Sequence, residues 1–302
     1  MEEKKYKLTD KSIKVDNHTL YRIQALKEFE NFPFTIHKDE LGGWVESEAN
    51  LSQDDNCWVW GDACVYGNSI VSGSARIYDY AKVYGNAKVY DEALVSDNAE
   101  IYGNAEIYEE ARVISVSKIY DNAKVYGCAH IDGESKVFGN AYIFGDAKIE
   151  DKAQIFNNAR IYDKANVYNN AWVCGNVHVF NSAEIYGNAI IRDNSQVFGD
   201  AEVYGNAQIF DNVKIYEDAI VNNNAIICGE AQIRDFSKIT DRNDYMTFKY
   251  CNHSLTWTKS DDMWAIGAEK CEGKRLIELG YLISDEIGKQ YENFVGIVNK
   301  FT

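Results

Sequence analysis

From Val59 to Lys238 the chain repeats a six-residue pattern thirty times without insertion or deletion. The first position of every block is Val or Ile, the fifth is Ala, Ser or Val, and the third and fourth are mostly Gly, Asn, Asp or Glu. Val83-Tyr84-Gly85-Asn86-Ala87-Lys88 and Ile101-Tyr102-Gly103-Asn104-Ala105-Glu106 are typical blocks. In a segment such as Ala-Lys-Val-Tyr, strand alternation sends Ala and Val to one face and Lys and Tyr to the other. The Gly-Asn that follows tolerates positive φ and supplies a bend. Three such sides close one triangular turn of eighteen residues, and stacked turns make a solenoid. A five-residue repeat loses the register, and a helical repeat is excluded because nothing recurs at 3.6 residues.

Thirty blocks predict ten turns, a prism roughly 48 Å long at ~4.8 Å per turn. Its inward positions carry no charge. Chemistry is therefore expected on the outer rows or at the ends. The pattern resembles the hexapeptide-repeat left-handed β-helix, whose motif is an aliphatic residue, any residue, two turn residues, a small residue and any residue. The fold expected is mainly β: a left-handed parallel β-helix of about ten triangular coils over 51–240, an N-terminal β cap over 1–50, and a C-terminal α+β module over 241–302.

The ends break the period. Lys7 to Val15, the pair Asp16-Asn17, and Leu20 to Ile23 predict a hairpin. Gly42-Gly43-Trp44-Val45-Glu46 leads into the prism. Val45 and Leu51 form a first irregular side, and the eight-residue step from Leu51 to Val59 is a slip of register. A cap over each open end is expected, because it covers strand edges and apolar core. After the repeats, Met246 to Tyr250, Leu255 to Thr258 and Met263 to Ile266 predict strands. Leu276, Ile277, Leu279, Leu282, Ile283, Ile287, Tyr291, Phe294, Ile297 and Val298 fall at helical spacing, with Gly280 and Gly288 predicting one broken helix or two short ones.

Composition narrows the function. The net charge of −16 argues against binding nucleic acid through its phosphates and against an anionic membrane surface. No apolar run reaches the length of a spanning helix, and Met1-Glu2-Glu3-Lys4-Lys5 opens no signal peptide. The cysteines are Cys57, Cys64, Cys128, Cys174, Cys228, Cys251 and Cys271, an odd number without a CxxC. They predict neither a disulfide framework nor a zinc site, and favour a cytoplasmic setting. No cofactor or metal is expected.

The segment Asp39-Glu40-Leu41-Gly42-Gly43-Trp44-Val45-Glu46-Ser47-Glu48, Asn50-Leu51-Ser52, the tandem Val-Tyr-Gly-Asn-Ala blocks, and Leu255 to Thr258 with Trp264 to Gly267 resemble a group of uncharacterised bacteriophage and prophage proteins. The resemblance implies a phage or prophage origin and action inside a host cell. It carries no catalytic residue.

Hexapeptide-repeat proteins of known function are mostly acyltransferases that use a histidine as general base. Here His130 and His178 point outward on different sides of the triangle, with no loop to cover either. Both read as solvated. His37, beside Asp39 and Glu40, sits in the N-terminal cap and is a minor candidate for a catalytic or ligand role. The second block position needs more explanation, because it points outward yet is usually aromatic. One side carries Tyr90, Tyr108, Tyr126, Phe144, Tyr162, Phe180, Phe198 and Tyr216 in succession. A second carries Tyr66 through Phe156 and breaks at Cys174 and Arg192. The third has Trp60 and Tyr78, then Ser96, Ile114, Asp132 and Glu150, then Tyr168, Tyr186 and Tyr204. Ring stacks stabilise the rungs, and an extended aromatic side also reads as an interface. The acids at the corners, among them Asp91, Glu92, Asp97, Glu109, Asp121, Asp211 and Glu217, read as solubilising charge.

These features predict a non-catalytic, phage-encoded binding or scaffolding protein, such as an anti-defence factor. Its partner would be a host protein or a small molecule, and it would form a homo-oligomer, a dimer or trimer. Its binding residues would be the eight-ring side together with Trp257, Trp264 and His253 in the C-terminal module. The alternative is an acyl-CoA-dependent acyltransferase of the hexapeptide-repeat class.

Overall fold

A computed structural model describes residues 4–250, 252–267 and 269–301. The opening Met1-Glu2-Glu3 and Cys251 lie outside the described residues. The chain divides into two compact units, Met1–Asn169 and Asn170–Thr302. Both contain coils of a parallel β-solenoid, about 11 turns in all, of the left-handed β-helix type. Two helices and a small antiparallel sheet complete the C-terminal end.

In the first unit, β1 (Tyr6–Val15) and β2 (His18–Ala25) form the expected antiparallel hairpin. Asp16 and Asn17 make its turn at φ 48° and 69°. A second short hairpin, β3 (Phe29–Asn31) with β4 (Phe34–Ile36), has no counterpart in the sequence reading. Its strands are too short for alternation to show. Then β5 (Leu41–Val45) joins the two architectures: it lies antiparallel to β2 on one edge and parallel to Cys64–Val65 on the other. Gly42 and Gly43 permit this, since a Cβ would lie 2.6 Å from the Val59 carbonyl oxygen at Gly42 and 2.7 Å from that of Ala63 at Gly43.

Val45, Leu51 and Val59 pair one turn below Val65, Val71 and Ile77. Val45 and Leu51 thus add two sides ahead of the uniform repeat and close its first turn with Val59. The cap satisfies the carbonyls of the longer step from Leu51 to Val59. Lys5 Nζ donates to the Asp55 and Cys57 oxygens at 2.6 and 2.9 Å, and the Tyr6 hydroxyl donates to Leu51 O at 2.8 Å. Trp58 closes the core end between Tyr6 and Phe29, edge-on to both.

Within the coils each residue pairs with the one eighteen positions on, as in Lys82↔Glu100 and Val83↔Ile101. The N–H groups of Lys82 and Tyr84 donate to Ala99 O and Ile101 O, each at 2.9 Å. The inward Val, Ile and Ala side chains are fully buried, and each buried Val or Ile contributes about 1.5–3 kcal/mol relative to exposure. The inward Ser69, Ser117 and Ser195 return their hydroxyls to the backbone, as Ser117 Oγ does to Ile114 O at 2.7 Å.

The corners are where the sequence reading changes most. The third block position sits at positive φ, with Asp97 at 58° and Asp121 at 58°. Several corner acids accept the backbone N–H one turn on: Asp97 from Ser115 at 2.9 Å, Glu109 from Gly127 at 2.8 Å and Asp211 from Gly229 at 2.9 Å. They are structural acceptors as well as surface charge. Corner asparagines form amide ladders, Asn86 to Asn104 at 3.0 Å and Asn104 to Asn122 at 2.9 Å in the first unit, Asn188 to Asn206 at 3.0 Å in the second.

The second unit ends in an antiparallel sheet of Tyr245–Tyr250, His253–Thr258, Met263–Ile266 and Glu269–Cys271. Side-chain oxygens of this segment receive N–H groups of the last coil that have no further turn to bond. Cys228 N–H donates to Tyr245 OH at 3.1 Å, Gln232 N–H to Thr256 Oγ1 at 2.8 Å, and Lys238 N–H to Ser260 Oγ at 2.9 Å. Two helices follow, α1 (Gly273–Ile283) and α2 (Asp285–Val298). The break falls at Ser284, whose Oγ caps α2 through Ile287 N–H. Gly280 and Gly288 are close-approach points: a Cβ on Gly280 would lie 3.0 Å from Gly288 Cα.

Candidate binding surface on the solenoid

The alternation that buries Val and Ile puts the second block position outside, and the parallel register stacks it turn upon turn. In the first unit Tyr90, Tyr108, Tyr126, Phe144 and Tyr162 lie with ring centroids 4.8–5.0 Å apart and planes within 5°. On the adjoining side Tyr66, Tyr84, Tyr102, Tyr120, Phe138 and Phe156 repeat this at 4.8–5.1 Å. In the second unit Phe180, Phe198 and Tyr216 stack at 4.8 and 4.9 Å, and Arg234 continues the row 5.2 Å from the Tyr216 ring. The rings of the predicted binding row are partly buried by one another and keep one edge in water. Desolvation raises the phenol pKa values along the stacks, that of Tyr102 to about 12.

The C-terminal candidates are placed differently. Trp257 and Trp264 are 1% and 2% exposed and form a core with Leu255, Leu276, Tyr291, Phe294 and Val298. Their rings offer no surface, and Trp257 Nε1 is occupied by Asp262 at 2.8 Å. His253 Nδ1 lies 2.7 Å from the Tyr291 hydroxyl and so ties the sheet to α2. In the cap, His37 is hydrogen-bonded to Glu28 at 3.0 Å, and this carboxylate raises its pKa.

The third side of the first unit is bare where the sequence loses its rings. Trp60 and Tyr78 stack at 4.4 Å, and the next ring on that side is Tyr168, roughly 24 Å away at ~4.8 Å per turn. Over the intervening turns lies a depression of about 320 Å³ lined by Glu110, Arg112, Cys128, His130, Lys148 and Glu150. The parallel register sets Arg112 opposite His130 and His130 opposite Lys148. His130 Nε2 is 3.9 Å from Asp132 Oδ2, beyond hydrogen-bond reach. Burial pushes the Cys128 thiol up, with Glu110 adding to the shift, which disfavours a nucleophilic thiolate. The sequence reading noted the gap in the rings and His130 separately. The eighteen-residue register was the signal that joins them.

In the second unit a groove of about 430 Å³ runs beside Phe198, Lys214, Tyr216, Glu217, Gln232, Arg234 and Gly267. Arg234 is held by Glu217 and Asp235, each at 3.3 Å. Among the described residues no group of three or more His, Cys, Asp or Glu side chains converges to hold a metal, and no helix is long and apolar enough to cross a membrane.

No family model matches the chain. A curated protein of Escherichia coli (strain K12), the "Uncharacterized acetyltransferase YdcK", is 32% identical to it over 62 residues. That stretch is 20% of this chain and 18% of the curated protein, so the chain spans less than a fifth of the relative it matches. A distant likeness of this kind fits the hexapeptide-repeat β-helix family.

Proposed function

We propose that the chain is a non-catalytic binding scaffold that assembles through a ring-covered side of its coils. The observation that carries this reading is the row Tyr90, Tyr108, Tyr126, Phe144 and Tyr162, held in register with its edges in water. Stacked rings are rigid before contact, so covering them costs little side-chain entropy. A dimer or trimer of this chain is the first occupant proposed, and a host protein or small molecule is the further partner. The phage or prophage origin implied by Leu41 to Glu46 and the tandem blocks belongs to the same proposal. So does action inside a host cell.

The second reading is an acyl-CoA-dependent transferase, favoured by the match to the acetyltransferase and by His130 in its depression. Against it stand the wide His130–Asp132 separation, which leaves the imidazole unoriented as a base, and the raised Cys128 thiol. Acetyl-CoA separates the two readings. The scaffold reading expects no saturable thermal shift, and no change on His130→Ala or His178→Ala. A shift lost in His130→Ala favours the transferase.

A further inference from the structure

The outward row that begins each strand mixes signs across the register. Lys118 lies opposite Glu100 and pairs with it at 3.3 Å, and Lys124 lies opposite Glu106 and pairs at 2.9 Å. Like-charged neighbours occur as twos, Lys118↔Lys136 in the first unit and Glu184↔Glu202 in the second. Among the described strands, only Arg112, His130 and Lys148 put three basic groups on adjacent strands within one unit. Neither the Arg112 nor the Lys148 side chain makes a hydrogen bond or ion pair among the described residues. This column lies in the stretch where the ring cover is missing and the surface sinks into a depression. Two cationic side chains without partners among the described residues, flanking an imidazole in a concavity, mark a site whose missing partner is a ligand.

The charge arrangement selects the ligand. An oxyanion seated over His130 lies about 5 Å from the Arg112 and Lys148 positions, one strand spacing each way. Asp132 Oδ2 lies 3.9 Å from His130 Nε2, and Glu110 and Glu150 lie on the diagonals of His130, at about 7–8 Å. The near bases supply directional, charge-assisted donors, with the Arg112 guanidinium suited to a bidentate grip. The surrounding carboxylates, on a chain of net charge −16, resist a purely anionic ligand. A ligand that also carries an ammonium group satisfies both sets.

We infer that this depression binds a small zwitterion whose oxyanion lies on Arg112, His130 and Lys148 and whose ammonium reaches Glu110 or Glu150. A phosphorylated amino alcohol is the simplest such molecule. The site goes beyond the scaffold reading, because assembly through the ring-covered side can fail while this site remains.

Calorimetry on the full chain with phosphoethanolamine, inorganic phosphate and ethanolamine tests it. Phosphoethanolamine should bind saturably and about tenfold or more tighter than either half alone. Arg112→Ala and Lys148→Ala should each weaken it about tenfold or more, and Glu110→Gln with Glu150→Gln should shift preference toward inorganic phosphate. Lys136→Ala, on another side, is the control and should bind as wild type. All these side chains point outward, so circular dichroism should show each variant folded. Absence of saturable binding by the folded wild type overturns the site. So does binding that survives both Arg112→Ala and Lys148→Ala, or binding that Lys136→Ala weakens equally. Binding to phosphatidylethanolamine vesicles without any response to the free headgroup also overturns the small-ligand assignment.

Discussion

Asp97 Oδ2 accepts the backbone N–H of Ser115, one turn further along the chain, at 2.9 Å. Ser115 sits at φ 60°, where the chain bends and its N–H leaves the sheet ladder. The bond therefore replaces a rung that the corner geometry removes. Asp97→Ala should destabilise the coil by about 1 kcal/mol, and Asp97→Asn, which keeps an acceptor, by less. Urea unfolding measures both. Equal, negligible effects would return the corner acids to simple surface charge.

Ile143 and Phe144 are sequence neighbours on opposite faces of one side. Ile143 is fully buried, and Phe144 stacks on Tyr126 and Tyr162 at 5.0 and 4.9 Å. Ile143→Ala should cost about 2–5 kcal/mol through lost transfer energy and the cavity left behind. Phe144→Ala forfeits two ring contacts and should cost about 1–3 kcal/mol. Chemical denaturation of the two variants gives the order. A larger loss at Phe144 would mean the ring stack outweighs the interior in holding the coil.

The coils were legible because one period fixes everything at once: strand, bend, inward face and turn-to-turn register. Val83 and Ile101 were placed opposite each other by arithmetic alone, and the structure pairs them. The first turn was legible only in part. Its residues Val45, Leu51 and Val59 are unequally spaced, and their pairing with Val65, Val71 and Ile77 shows that they close a turn. The acceptor role of the corner acids was missed because it depends on which N–H the bend frees. Trp257 and Trp264 were expected on a binding surface and lie in a core for a similar reason: residue type alone does not say on which side of a short sheet the helices will pack. The depression at His130 was within reach of the sequence, since residues 112, 130 and 148 share the eighteen-residue step.

Alkali should loosen the coils in a defined window. The phenol of Tyr102 ordinarily titrates near 10 and is raised to about 12 by desolvation, and the stacked Tyr84, Tyr90, Tyr108 and Tyr120 move in the same direction. The folded state then holds protons that the unfolded state releases, so stability falls as pH rises. It is intact below the ordinary value and is lost as pH climbs through about 12. Phenolate absorbance should lag behind that of the urea-unfolded chain. Ionisation at the unfolded value with the fold intact would contradict the desolvation of the stacks.

The last coil depends on borrowed acceptors. Thr256 is 1% exposed and its Oγ1 takes Gln232 N–H at 2.8 Å. Thr256→Val keeps the shape and leaves that N–H unpaired, at a cost of about 1–3 kcal/mol. Hydrogen exchange at Gln232 should accelerate while amides of the first unit, such as Tyr102, stay protected. Unchanged exchange at Gln232 would mean that the terminal sheet is not what satisfies the coil's last N–H groups.

Assembly through the ring-covered side is the claim on which the proposed function rests, and sedimentation of the intact chain tests it most directly. Wild type should run as a dimer or trimer at micromolar concentration. Changing Tyr126, Phe144 and Tyr162 together to Ser should convert it to monomer while circular dichroism still reports the coils, because the buried Val125, Ile143 and Ile161 beside them are untouched. A wild-type chain that sediments as a clean monomer would contradict the account and leave the ring stacks as internal bracing alone.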